Sequence, residues 1–263
     1  MARRPASPSH GCAWVTGASS GIGYELVGEL VRRGWRVAAS ARSEAVLAKL
    51  ADTFPGRVIA APCDVAIASE VETAASLARS AFGPIGLAIS NAGVYLPFEG
   101  QSFSIDLFER TVRANLLGAS HVTGAVLPDF CSRQEGHIHF VSSATGFGGM
   151  PTSSAYGATK AALINMAECL KIEVDRYRVG VSVSTPGFVE TPAQDHNTFP
   201  KPFMIQPSEA ARRIADAVIR GGFETSFPRR FTWPLKAIYA LPKFVYLPLV
   251  RAQTGWNRPP DSR

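Results

Sequence analysis

The sequence is poor in charge and poor in cysteine. Only 18% of its 263 residues are Asp, Glu, Lys or Arg, while 46% are apolar, enough side chain to fill a substantial core and to exclude wholesale disorder. The four cysteines, Cys12, Cys63, Cys131 and Cys169, lie far apart with no CxxC pair. That spacing excludes a disulfide framework and a zinc knuckle, and reads as small apolar residues in a reducing compartment. No apolar run reaches the ~20 residues of a membrane-spanning helix. The nearest, Leu235–Val250, is interrupted by Lys236, Pro242, Lys243 and Pro248. Met1–Ser9, with Arg3, Arg4, Pro5 and Pro8, lacks the apolar core of about 7–15 residues found in export signals, so a cytoplasmic protein is expected.

Charge is also absent where it would matter for nucleic acid. Residues 1–227 balance 20 cations with 20 acids, so the net charge of +6 resides entirely in 228–263, where Arg229, Arg230, Lys236, Lys243, Arg251, Arg258 and Arg263 face Asp261 alone. A nucleic-acid-coating protein would not segregate its cations in this way, and no such partner is expected.

What is present is alternation. Cys12–Thr16, Arg36–Ser40, Val58–Ala61, Leu87–Ser90, His137–Ser142 and Val181–Thr185 are short apolar runs that read as buried parallel strands, with a seventh at Glu224–Phe227. Between them, Gly21–Arg33, Glu44–Thr53, Ser69–Phe82, Ile105–Ser132, Ser154–Arg178 and Pro207–Arg220 carry apolar residues at helical spacing. This order predicts one α/β domain over 12–227, a Rossmann-type, doubly wound parallel sheet of about seven strands with helices on both faces. Residues 1–11 read as a tail and 228–263 as an appendage. Such a sheet takes its ligands beyond the C-terminal ends of its strands.

The first strand runs into Thr16-Gly17-Ala18-Ser19-Ser20-Gly21-Ile22-Gly23 and then a helix. Glycines there allow the main chain to approach a pyrophosphate, and the free N–H groups opening the helix face the anion. About 20 residues on, where a cofactor without a 2′-phosphate meets a carboxylate, this chain has Ala39-Ser40-Ala41-Arg42. Small residues and a guanidinium fork favour NADP(H) over NAD(H).

Ser142 and Ser143 end the fifth strand, and Tyr156 and Lys160 follow at i and i+4 on one helix face. A phenol titrates near 10, and an adjacent ammonium lowers that value, so the pair is a tunable acid/base. Ser143 can bond a carbonyl oxygen on which charge develops. His137 and His139 share a strand face, but a third ligand is not apparent and no metal site is expected.

With these motifs in place, the chain from Cys12 to about Phe227 resembles the single-domain short-chain dehydrogenases/reductases. Asp64-Val65 is similar to that family's adenine-side contact. Ser90-Asn91-Ala92-Gly93 is similar to its NNAG, with serine for the first asparagine. Pro186-Gly187-Phe188-Val189-Glu190-Thr191 is similar to its nicotinamide-side stretch, and Asn115 to the asparagine of its catalytic tetrad. The resemblance implies that Tyr156 exchanges a proton with the substrate oxygen, Lys160 holds the nicotinamide ribose and lowers the Tyr156 pKa, Ser143 orients the carbonyl, and Asn115 holds a helix kink and relays water. It implies an oxidoreductase that is a homo-oligomer built on the two long helices, and a substrate lid over 191–206.

The lid ends in Phe199, Phe203, Met204 and Ile205, and Val94, Tyr95, Leu96, Phe147 and Met150 can join it. These suit an apolar ketone or alcohol, although the same side chains would serve to pack a lid. The appendage, with Phe231, Trp233, Tyr239, Phe244, Tyr246 and Trp256 among its cations, reads in three ways: peripheral contact with a membrane, a cover for the cleft, or a contact with another subunit. The rival functions are a non-catalytic NADP(H) sensor and a membrane-surface interaction protein.

Overall fold

The computed structural model describes residues 3–192 and 201–257. Seven strands, β1 (Cys12–Thr16), β2 (Val37–Ser40), β3 (Val58–Ala60), β4 (Ile85–Ser90), β5 (His137–Val141), β6 (Gly180–Pro186) and β7 (Glu224–Phe227), form one sheet in the order β3-β2-β1-β4-β5-β6-β7. Every neighbouring pair is parallel.

The reason is visible in the side-chain alternation. Ala13, Val15, Leu87 and Ile89 pack against α1 (Gly21–Arg32), α2 (Glu44–Thr53) and α7 (Pro207–Arg220) through Leu26, Leu30, Leu47 and Ile214. Their neighbours Trp14, Ala88, Ile138 and Phe140 face the other way, onto α3 (Ala68–Phe82), α5 (Gly118–Arg133) and α6 (Ser154–Val174), meeting Val71, Val122 and Leu163. Successive residues of a strand point to opposite faces, so strands apolar at every position require helices on both. The expected α/β class, doubly wound sheet and seven strands are all present.

Two long helices differ from the periodicity reading. Ile105–Ser132 is not one helix: α4 (Ile105–Val112) passes into a π-turn, Arg113–Leu117, before α5. Asn115 lies in that turn, buried, with its side chain pulled onto a neighbouring loop, and a wide turn of this kind is a usual source of a kink. The helix from Ser154 ends at Val174 rather than Arg178, because Asp175–Tyr177 tighten into a 3-10 turn and Arg178 takes a left-handed φ of 62°.

The segment after β7 is two helices, α8 (Arg229–Tyr239) and α9 (Lys243–Gln253), separated at Pro242, which cannot continue a helix. Among the described residues no helix is long and apolar enough to cross a membrane.

Candidate active site

The sheet order reverses between β1, whose next strand lies on one side, and β4, on the other. A crevice therefore opens past the C-terminal ends of these strands. A cavity of about 630 Å³ occupies this place, walled by the turn after β1, Arg42 after β2, Asp64 and Val65 after β3, Asn91–Leu96 after β4, and Val141 and Ser142 at the end of β5.

The glycine turn is built for close approach. A Cβ on Gly17, whose φ is +69°, would stand 2.8 Å from the Ala92 Cα, and one on Gly23 would stand 2.1 Å from the Gly17 carbonyl oxygen. Asn91 locks the turn, its Nδ2 donating to the carbonyls of Thr16 at 2.9 Å and Gly17 at 3.3 Å. Thr16 Oγ1 accepts from the Asn91 and Ala92 amides at 3.2 Å. Thr16 opens the glycine motif, but this clasp was not among the expected contacts, since it depends on β4 lying next to β1. Ser20 caps α1 without its side chain taking up an amide, so the opening N–H groups of the helix remain available to an anion. Ser19, Ser20, Gly21, Ile22, Ala92, Gly93 and Thr191 also line the cavity. Arg42 is exposed there without an ion pair to Glu44 or to any other described acid. These donors fit a dinucleotide carrying phosphates.

Not every expected contact faces this space. Gly23 lies behind the turn, where it permits close packing. Pro186 ends β6, Gly187 is pressed against Phe231, and Val189 is buried and bridged to Ile205. Asp64 points its Oδ1 at the Ala66 amide (2.9 Å), and its own amide donates to Glu70. Val65 packs on Gly118. Arg110 and Arg113 also reach the cavity wall, which their exposed-helix spacing did not suggest.

Tyr156 and Lys160 both line the cavity. Ser143 lies near enough to Tyr156 for its hydroxyl to favour the phenolate, and it accepts from the Thr145 amide at 3.2 Å. Lys160 Nζ, buried, donates to the Val141 carbonyl at 2.8 Å and lies 5.5 Å from the Tyr156 ring centre. Burial pushes the Lys160 amine down to about 8.

The phenol runs against expectation. Burial pushes Tyr156 up to about 12; the Ser143 hydrogen bond works the other way, and neighbouring Tyr95 adds to the rise. The lowering expected from Lys160 does not operate here, because desolvation of a phenolate outweighs an ammonium that is itself engaged by a backbone carbonyl. Tyr95 meets the Tyr156 ring edge-on with centroids 5.0 Å apart.

Asn115 is 1% exposed. Its Oδ1 accepts from the Val94 amide at 2.7 Å, and its Nδ2 donates to the Val94 carbonyl at 3.0 Å and to Thr159 Oγ1 at 3.1 Å. Thr159 in turn donates to the Tyr156 carbonyl at 2.8 Å. Asn115 thus joins the kinked helix, the loop after β4 and the Tyr156 helix.

Of the expected lid, residues 193–200, including Phe199, lie outside the described residues. Ile205 is core, while Phe203 and Met204 are exposed. His137 and His139 are buried and share Ser182 Oγ, at 2.6 and 2.7 Å, and His137 Nδ1 donates to the Arg4 carbonyl at 2.8 Å. Among the described residues no cluster could hold a metal ion.

Residues 11–200 match the family model for short chain dehydrogenase. This chain belongs to the short-chain dehydrogenase family. An uncharacterized oxidoreductase of Myxococcus xanthus is 33% identical to it over 241 residues, 90% of this chain and 95% of that one. The 3-dehydrosphinganine reductase of Danio rerio is 31% identical over 231 residues, 81% and 70% of the two chains. A crystal structure of an actinorhodin polyketide ketoreductase with NADPH aligns with TM-score 0.77 at 26% identity, covering 84% of this chain and 97% of the other. This short-chain dehydrogenase is therefore a nucleotide-binding oxidoreductase.

Proposed function

We propose that this chain is an NADP(H)-dependent reductase of an apolar ketone or aldehyde, reversibly forming the alcohol, with Tyr156 as the acid/base. The observation that carries this reading is Tyr156 and Lys160, one helical turn apart, lining one cavity continuous with the glycine turn and Arg42, with Ser143 beside the phenol. The cofactor supplies or accepts the hydride. Tyr156, protonated at neutral pH, gives its proton to the substrate oxygen. Ser143 bonds the same oxygen as charge develops. Lys160, held at the Val141 carbonyl, contacts the cofactor ribose, and Asn115 fixes the helix that carries Tyr156 while relaying water. Gly17, Ser19, Ser20, Gly21, Ile22 and Asn91–Gly93 hold the pyrophosphate side, Asp64 and Val65 the adenine, Arg42 the 2′-phosphate, and Thr191 the nicotinamide side, with Pro186, Gly187 and Val189 shaping the chain behind it.

The apolar substrate is supported by Val94, Tyr95 and Leu96 on the cavity wall and by Phe147 and Met150 nearby, which pack against α8 and α9. Reductases among the relatives support a carbonyl group. The partners in this reading are a second copy of the chain, through α5 and α6 where Ile172 is 68% exposed, and a lipid surface. The test is NADPH oxidation across steroid, fatty-acyl and aromatic ketones, with NADH in parallel. Tyr156→Phe is expected to abolish turnover while retaining NADPH binding. No turnover with any ketone, beside tight NADPH binding, would favour the sensor reading.

A further inference from the structure

The helices α8 and α9 are two-sided. Their inner side is Tyr239, Tyr246 and Val250, packed with Leu235 and Ile238 onto Phe147 and Met150, and Tyr246 Oη donates to the Gly149 carbonyl at 2.8 Å. Their outer side is unusually apolar for a surface: Trp233 is 60% exposed, Phe244 81% and Leu247 56%. Phe244, Leu247 and Arg251 recur at i, i+3 and i+7, one stripe of α9. No acidic residue occurs from Pro228 to Pro260.

Beside this face lies a cleft of about 1100 Å³ between α7, β7, α8 and the N-terminal segment. Its cations are Arg3, Arg212, Arg213, Arg220, Arg229 and Lys236, against Asp216 and Glu224. Asp216 is taken up by Arg33 at 2.8 Å and lies 3.8 Å from Arg212, Arg213 pairs with Glu209 at 2.6 Å, and Glu224 with Lys236, which leaves Arg3, Arg220 and Arg229 without an acid partner among the described residues. Arg229, Trp233 and Lys236 belong both to the cleft and to α8, so the exposed apolar side chains and the cation-lined cleft are continuous.

We propose that this combined surface docks on an anionic lipid bilayer, with Trp233, Phe244 and Leu247 entering the headgroup boundary and the cleft arginines taking lipid phosphates. Charge complementarity selects this occupant. A second copy meeting this same face would bring its cations onto cations, whereas an anionic leaflet neutralises them, and the apolar side chains suit an element lying in the interface plane. The docked face then backs directly onto the loop carrying Phe147 and Met150. This deepens the lipid-surface partner of the proposed function and rests on that reading only for delivery of substrate.

The test is co-sedimentation of the full chain with phosphatidylcholine vesicles, with and without about one-third phosphatidylglycerol. Binding to the anionic vesicles alone, weakening with salt, is expected. Arg212→Gln with Arg220→Gln should lower partitioning roughly 30-fold, equivalent to about 2 kcal/mol for two cations. Phe244→Ser with Leu247→Ser should lower it roughly 100-fold, while NADPH binding by fluorescence stays unchanged as a check on folding. No binding to anionic vesicles, or equal binding by both double variants, overturns the proposal. So does a smaller oligomer in the Phe244/Leu247 variant with vesicle binding intact, which would mark the face as a contact between copies. The measurement uses no turnover, so its failure leaves the assignment of Tyr156 standing.

Discussion

Lys160 follows Tyr156 by one helical turn, yet its Nζ donates to the Val141 carbonyl at 2.8 Å and stays 5.5 Å from the Tyr156 ring centre. The amine is therefore fastened to the end of β5 and aimed at the cavity, rather than drawn onto the phenol. With the amine pushed down to about 8 by burial, its charge is lost as pH rises through that value. NADPH affinity should fall above about pH 8, by up to about tenfold per pH unit, in a fluorescence titration from pH 6.5 to 9.5. Lys160→Met should flatten that profile, and a flat profile in the wild-type chain would refute the role.

Arg42 is expected to set the cofactor. Removing a charge-assisted contact to a 2′-phosphate costs roughly 10- to 100-fold in affinity, so Arg42→Ala should raise the NADPH dissociation constant by that factor and leave NADH nearly unchanged. Parallel losses for both cofactors would mean that Arg42 meets no 2′-phosphate.

Asn115 links three elements through one amide. Asn115→Leu preserves volume but leaves the Val94 amide and carbonyl and the Thr159 hydroxyl without their partner, and should destabilise the protein by about 2–4 kcal/mol in urea unfolding. A loss below about 1 kcal/mol would show that water replaces the clasp.

His137 and His139 predict acid sensitivity. Burial pushes them down to about 4 and about 3, below the ordinary value near 6.5. The folded state then binds fewer protons than the unfolded one. Their contribution is complete above about pH 6.5 and is lost as pH falls through 4 and 3, at up to about 1.4 kcal/mol per pH unit for each histidine. Lys160 titrates well above this window. Unfolding free energies between pH 7 and pH 4.5 should fall more steeply for the wild-type chain than for His139→Gln; parallel slopes would contradict this.

Gly148 tests the seal made by α8 and α9. A Cβ there would stand 2.3 Å from Tyr239 Cδ1, so Gly148→Ala must displace that ring and the helices behind it. The expected result is a KM for apolar ketones raised about tenfold with NADPH binding preserved. An unchanged KM would separate these helices from the substrate site.

Much of the molecule was legible before any coordinate was known. Strands β1 and β7 and helices α2 and α7 lie where apolar spacing, glycine and proline put them, because those signals are local. The break at Arg113–Leu117 was not legible in the spacing, which is helical throughout; only the family resemblance, which implied a kink at Asn115, pointed there, and Asn115 reaches across to Val94 from that turn.

By itself the sequence determined the alternation that demands a parallel sheet covered on both faces, the glycine turn, and the shared helix face of Tyr156 and Lys160, since each follows from backbone geometry over a few residues. Only the tertiary structure decided that Lys160 is held by Val141, that burial raises Tyr156, that Asn115 clasps Val94 and Thr159, and that α8 and α9 seal Phe147 and Met150. Those contacts join residues from 19 positions apart, as in Lys160 and Val141, to 97, as in Tyr246 and Gly149. Such contacts depend on strand order and on how helices pack over the sheet, which no local pattern encodes.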